Sequence, residues 1–214
     1  MKALLIGATG ATGKDVLKLL LNDEEVEQID IFVRRPVDFT HEKLTIHIID
    51  FEKPEEWKLL VKGDVLFSCL GTTLKAAGSK QAQWQVDYEY QYQFAKVAKE
   101  NNVSSCVLVS SANASEKSVL FYPKMKGKLD EAVKKLGFQK LIIFKAPALV
   151  RKNSDRKMEI MGVKVIEFMN KLGIFRSQKP MPTNILAKAM LHAAKKVKPG
   201  THEIEGKDIW DFAN

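Results

Sequence analysis

A short apolar run, Ala3-Leu4-Leu5-Ile6, passes directly into Gly7-Ala8-Thr9-Gly10-Ala11-Thr12-Gly13, and a helical pattern follows over 11–21. Three glycines at three-residue intervals, after a first strand and before a helix, narrow the choice of fold sharply. One permits a tight turn, one lets backbone approach a pyrophosphate, and one lets helix and strand pack closely. The helix N-terminus adds unpaired N–H groups and the positive end of its dipole, which suit phosphate. A glycine trio alone marks many ordinary turns; its place inside a βαβ unit gives it meaning. The phosphate-binding loop of nucleotide triphosphatases is excluded, because Gly13-Lys14 is followed by Asp15 and not by Ser or Thr.

The rest of the chain repeats that alternation. Short runs rich in Ile, Val, Leu and Phe predict strands over 3–6, 29–33, 44–49, 65–68, 105–109 and 141–144. Continuous apolar strands of this kind are buried on both faces, as in a parallel sheet covered by helices. Helical spacing predicts helices over 11–21, 79–101, 122–136 (ending at Gly137) and 182–196, with a short strand over 202–205. Residues 151–156 read as a loop. Met158, Met161, Val165, Met169 and Leu172 then form an apolar helical stripe, either core packing or a cover over a substrate cleft. The expected architecture is α/β, a doubly wound parallel sheet (Rossmann fold) formed by one domain over 1–214. Residues 151–214 are expected to add substrate-side elements to that domain.

Composition agrees. With 214 residues, 45% hydrophobic and 28% charged, the chain suits one globular domain and is neither disordered nor collagen-like. The two cysteines, Cys69 and Cys106, lie in apolar runs, which argues against a disulfide scaffold or a cysteine metal site. No apolar run approaches the roughly 18 residues of a membrane span. The apolar start stops at Gly7, too early for a secretory core, so a cytoplasmic protein without a membrane partner is expected. The net charge of +8 attracts anions generally. Pairs such as Lys134-Lys135 and Lys195-Lys196 read as solvated helix faces. Without a recognition helix or an aromatic-rich RNA motif, nucleic acid is not the expected partner.

The cofactor follows from the end of the second strand. In an NAD site an acidic residue there holds the ribose 2′-OH. This chain has Arg34-Arg35, and its nearest acid, Asp30, falls at the start of that strand. Two guanidinium groups suit a 2′-phosphate, so NADP(H) is expected. Asp50-Phe51, after the third strand, can meet the adenine or form an Asx turn. Cys69-Leu70-Gly71 ends the fourth strand facing the cofactor, with Gly71 suited to close backbone approach and Cys69 to a buried filler.

The fifth strand runs into Val109-Ser110-Ser111-Ala112-Asn113, and Tyr122 and Lys126 follow, four apart and so on one helix face. An ammonium beside a phenol lowers its pKa and makes it a usable acid or base. A serine on the strand end could hydrogen-bond the same carbonyl oxygen.

These stretches, with Ser68-Cys69-Leu70-Gly71-Thr72-Thr73, Val86-Asp87-Tyr88 and 144–150, resemble a short-chain dehydrogenase/reductase of the atypical, NAD(P)H-binding kind, in its Tat-interacting-protein-like branch. The resemblance spans nearly the whole chain. It implies that Gly7, Thr9, Gly10, Ala11, Thr12 and Gly13 wrap the pyrophosphate and that Arg34 and Arg35 hold the 2′-phosphate. Asp50 and Phe51 would face adenine, Leu70 and Gly71 would line the middle of the cofactor, and Pro147 would sit by the nicotinamide amide. It makes Ser111, before the small Ala112, the active serine, Tyr122 the acid/base and Lys126 its helper and ribose contact. The chain departs from the superfamily with Asp87 in place of Asn and Lys145-Ala146-Pro147 in place of Arg-Pro-Gly. The implied function is NADPH-dependent reduction of a carbonyl-like small molecule. The alternative is an NADPH-holding regulator that acts through a protein partner with little turnover. A substrate pocket is expected around 73–80 and 151–181.

Overall fold

The computed structural model describes residues 1–150 and 180–214. Seven parallel strands form one sheet: β1 (Lys2–Ile6), β2 (Gln28–Val33), β3 (Leu44–Ile48), β4 (Val65–Ser68), β5 (Ser105–Ser111), β6 (Lys140–Ala146) and β9 (Gly200–Glu205), in the order β3-β2-β1-β4-β5-β6-β9. A separate two-residue pair joins β7 (Leu149–Val150) to β8 (Met181–Pro182). The helices are α1 (Ala11–Leu21), α2 (Pro54–Trp57), α3 (Leu74–Ala77), α4 (Lys80–Trp84), α5 (Tyr90–Glu100), α6 (Phe121–Lys134), α7 (Thr183–Lys196) and α8 (Lys207–Ala213).

The strand pattern explains the layers. Along β1, Ala3 and Leu5 enter one apolar cluster while Leu4 and Ile6 enter the other, all fully buried. β6 divides likewise, Ile142 and Phe144 against Leu141 and Ile143. The first cluster lies under α1, α7 and α8, and the second under α5 and α6, with Trp57 of α2 stacked 5.2 Å from Phe94. Both faces are therefore covered, as the unbroken apolar strands require. The sheet thins at its margins, where Ile48 of β3 is exposed and β9 buries only Ile204.

Several elements differ from expectation. β5 and β6 are each longer, because Ser110 pairs with Lys145 and Ser111 with Ala146, so both serines lie within the strand. The single helix expected over 79–101 is broken into α4, a π-helical turn at Gln85–Glu89, and α5. The C-terminal helix α8 was not foreseen. Its Ile209 and Ala213 are buried against the first cluster, a tertiary contact with too short a local period to read. Asp30, expected at the start of the second strand, is the third residue of β2, 2% exposed, with the Lys2 ammonium at 3.1 Å. Lys134 and Lys195 are not simply solvated: Lys134 bonds Glu131 at 2.7 Å and Glu203 at 2.5 Å, and Lys195 bonds Asp23 at 2.6 Å. The loop expected over 151–156 and the stripe from Met158 to Leu172 lie outside the described residues.

Candidate active site

In a doubly wound sheet, ligands bind outside the carboxyl ends of the strands, at the point where the strand order reverses. Here that point lies between β1 and β4. Gly7, just past β1, has φ +84°, and a Cβ on it would stand 2.4 Å from the Cys69 carbonyl carbon at the end of β4. A Cβ on Gly13 would stand 2.0 Å from the Gly7 carbonyl oxygen. The loop therefore closes on itself and on β4 with backbone alone, and the Gly10 N–H donates to the Gly7 carbonyl at 2.9 Å. Gly10 is also the N-cap of α1, and no side chain caps that helix. Its first-turn N–H groups are thus left to an anion. Thr9 is exposed at the mouth of the loop, Gly10 and Ala11 are half-buried, and Thr12 is buried. The cradle fits a dinucleotide pyrophosphate.

The other expected cofactor residues occupy the same rim. Arg34 and Arg35 are exposed just beyond β2. Asp50 is exposed and forms the Asx turn weighed as its alternative role, accepting the Glu52 N–H at 3.0 Å. Phe51 turns inward, 3% exposed, against Tyr90 at 5.2 Å and Trp57 at 6.3 Å, so its ring joins the core and only its backbone can meet adenine. Tyr90 takes the outer position, its hydroxyl donating to Glu52 at 2.8 Å. Burial and Glu52 push its phenol up to about 12, against the pull of Arg34. Leu70 is half-buried, Gly71 exposed, and Pro147 buried past the end of β6. Cys69 is a buried filler. Burial pushes its thiol up to about 12, a larger effect than the opposing pull of Lys126.

α6 carries Tyr122 and Lys126. Lys126 is 2% exposed and donates to the Val109 carbonyl of β5 at 3.0 Å, which leaves two ammonium protons for other partners. Burial lowers its pKa, opposed by the carboxylates of Asp87 and Asp130. Tyr122 is 40% exposed. The expectation of a lowered phenol pKa is corrected here. Burial first, then Asp87 and Asp130, raise it, because carboxylates and not the ammonium dominate the field at the hydroxyl.

The two serines are separated by their surroundings. Ser110 is 4% exposed and donates to Asp130 at 2.7 Å, while Ser111 is half-buried and makes a long bond of 3.2 Å to the Ala112 carbonyl. Asp87 sits 1% exposed inside the π-helical turn and accepts the Thr72 N–H at 2.9 Å, which pins the loop after β4. Its side chain also lies 3.5 Å from where a Gly71 Cβ would stand. Sequence reasoning flagged Asp87 but missed Asp130. The available signal was its spacing, four residues after Lys126 and eight after Tyr122.

The NAD(P)H-binding family model matches residues 7–141, from the glycine loop to β6. The chain belongs to the NAD(P)H-binding family. Within it, the chain is similar to the mitochondrial protein FMP52 of Meyerozyma guilliermondii, 32% identical over 98% of this chain and 94% of that one. It is also similar to FMP52 of Debaryomyces hansenii, 38% identical over 71% of this chain and 68% of its relative. Among solved structures, the dTDP-glucose 4,6-dehydratase DesIV of Streptomyces venezuelae, with NAD bound, superposes with a TM-score of 0.73 at 12% identity, over 96% of this chain and 75% of that one. The WbmH enzyme of Bordetella bronchiseptica, in complex with NAD+, gives 0.71 at 16%, over 96% and 74%. These likenesses establish the Rossmann-type fold. The expectation of a cytoplasmic protein is overturned, because the relatives are mitochondrial proteins. The short apolar start speaks only against a secretory core and says nothing of other destinations. Among the described residues no helix is long and apolar enough to cross a membrane, and no group of His, Cys, Asp or Glu could hold a metal ion.

Proposed function

We propose that this chain is an NADPH-dependent oxidoreductase that reduces a carbonyl group of a small molecule. The observation that carries the reading is the pair Tyr122 and Lys126 on one face of α6, with the Lys126 ammonium bonded to the Val109 carbonyl two residues before Ser111 on β5. When bound, the cofactor supplies a hydride. Tyr122 remains a neutral phenol at physiological pH, so its O–H is ready to donate to a carbonyl oxygen as negative charge develops there. The same raised pKa makes it a poor resting base and favours reduction over oxidation. Ser111, held only by its long bond to Ala112, can turn a second hydroxyl onto that oxygen. The Lys126 ammonium steadies the phenolate left behind.

The test is NADPH oxidation with a panel of aldehydes, ketones and quinones. Tyr122→Phe is expected to reduce kcat by about 100-fold or more while leaving cofactor affinity intact. Tight NADPH binding with no turnover of any carbonyl would instead support the regulator that acts through a protein partner.

Exposed Arg34 and Arg35 at the end of β2 support NADPH over NADH. Arg34→Ala should weaken NADPH binding by about ten- to a hundred-fold, with NADH little changed, as charge-assisted hydrogen bonds of about 1.5–3 kcal/mol require. Calorimetric titration with both cofactors checks this, and equal affinities in the native protein would end the 2′-phosphate assignment.

A further inference from the structure

Tyr122, Lys126 and Asp130 stand on successive turns of α6, each four residues from the last, and so follow one helix face inward. Asp130 has no part in the chemistry described above. It is 2% exposed, and one carboxylate oxygen accepts the Ser110 hydroxyl at 2.7 Å. The other oxygen is buried and lacks a partner among the described residues. Buried polar atoms in this state are uncommon and point to water or to a functional role. Asp130 also lines a cavity of about 390 Å³ with Ser115, Glu116, Lys117, Glu131 and Lys145. Ser115, Glu116 and Lys117 are exposed, so the cavity meets solvent on that side, and its volume admits several waters at about 30 Å³ each. Asp130 thus borders the water-accessible cavity and lies within the electrostatic reach of the buried Lys126.

We propose that Asp130 is the proton port of this site, taking a proton from water in the outer cavity and returning it through Lys126 to Tyr122. The role rests on the reductase reading and deepens it. After Tyr122 has protonated the product oxygen, an N–H of the Lys126 ammonium breaks as the phenol O–H reforms. The resulting amine takes the proton of the Asp130 carboxylic acid by way of a bridging water, and the carboxylate takes one from a hydronium ion in the cavity. One proton enters, and nothing is oxidised or reduced. Burial lowers the Lys126 ammonium and raises the Asp130 carboxyl to about 6, which draws their proton affinities together. The charges facing Asp130 are Lys126 on its own helix, Lys145 of β6 and Glu203 of β9, the last two bonded to each other at 2.6 Å. Ser110 holds the carboxylate in place.

Two measurements test the port. In protein labelled with 13C at the aspartate carboxyls, with and without saturating NADP+, the Asp130 signal is assigned by its loss in Asp130→Asn. It should titrate with a midpoint near 6, and that midpoint should rise in Lys126→Met. A native protein in which no aspartate carboxyl titrates with a midpoint between about pH 5 and 8 overturns the proposal whether or not either variant folds. In turnover with NADPH and 9,10-phenanthrenequinone as carbonyl probe, Asp130→Asn should lose about ten-fold or more in kcat with KM for NADPH unchanged, and Asp130→Glu should recover most of it. Because the acid form donates, native kcat should fall as pH rises past about 6, and Asp130→Asn should lack that fall. Native kcat and an unaltered pH profile in Asp130→Asn overturn the port. If the native protein oxidises no NADPH, the reductase reading has failed, and the labelled carboxyl alone then decides the proton exchange.

Discussion

Gly13→Ala will abolish nicotinamide-cofactor binding and lower folding stability by about 3 kcal/mol or more. The added methyl would lie 2.0 Å from the Gly7 carbonyl oxygen, 2.6 Å from its carbon and 3.1 Å from the Ala8 Cα, all backbone. Gly7 cannot retreat, because its own Cα already faces the Cys69–Leu70 peptide, where a Cβ would meet atoms at 2.4 to 2.7 Å. Relief therefore requires moving α1 away from β1, which opens the cradle and uncovers Val16, Leu17 and Leu20, now buried under that helix. Gly10→Ala makes a useful control: its methyl would meet only the Gly7 oxygen at 3.2 Å and the Cys69 oxygen at 3.9 Å, so the loss of stability should be much smaller. Urea denaturation and calorimetry with NADPH measure both effects. A Gly13→Ala protein with native midpoint and affinity would show that the loop is not the closed cradle described here.

Lys126→Met carries the second large effect, and its pH dependence separates electrostatics from packing. The ammonium is a cation that faces both Asp87 and Asp130, which are 1% and 2% exposed, and Lys145 also faces Asp130. Removing one member of a buried charged group costs about 3–5 kcal/mol, because the remaining charge is left uncompensated. Both carboxyl groups already sit above the usual carboxylate range through burial, and Lys126 pulls each one down. Without it they rise further. A carboxyl whose folded pKa lies above its unfolded value gives stability in its protonated form and loses it as pH rises through the folded pKa. The deficit of Lys126→Met should therefore be largest near pH 8 and shrink below about pH 5. Urea melts of native and variant protein at both pH values test this. An equal deficit at the two would mean that the lost side-chain packing, and not the charge, was responsible.

Much of this molecule could be read along the chain. Apolar runs four to six residues long located six of the seven main strands, a short run over 202–205 marked the seventh, and the glycines at 7, 10 and 13 located the turn between β1 and α1. Such features depend on neighbours close in sequence, whose spacing is a local property. The interruption of the helix over 79–101 could not be read, because the π-helical turn is stabilised by the bond of Asp87 to the Thr72 N–H, fifteen residues back. The direction of the Tyr122 shift lies beyond local spacing for a related reason. The Tyr122–Lys126 spacing shows the ammonium, while the burial and the arrival of Asp87 from another element are set by packing. That the Phe51 ring packs against Trp57 and Tyr90, leaving its backbone toward the rim, is likewise decided by aromatic neighbours distant in sequence.

The order of residues alone determined an alternating parallel α/β chain with a phosphate-seeking turn at its start, because strand burial, helix period and glycine freedom all act over a few residues. Only the tertiary structure decided which serine is free, where the carboxylates stand around Lys126 and that Asp130 borders a water-sized opening. Those facts depend on side chains from different strands and helices meeting in a medium from which water has been removed, where proton affinities follow enclosure and partners and not sequence spacing.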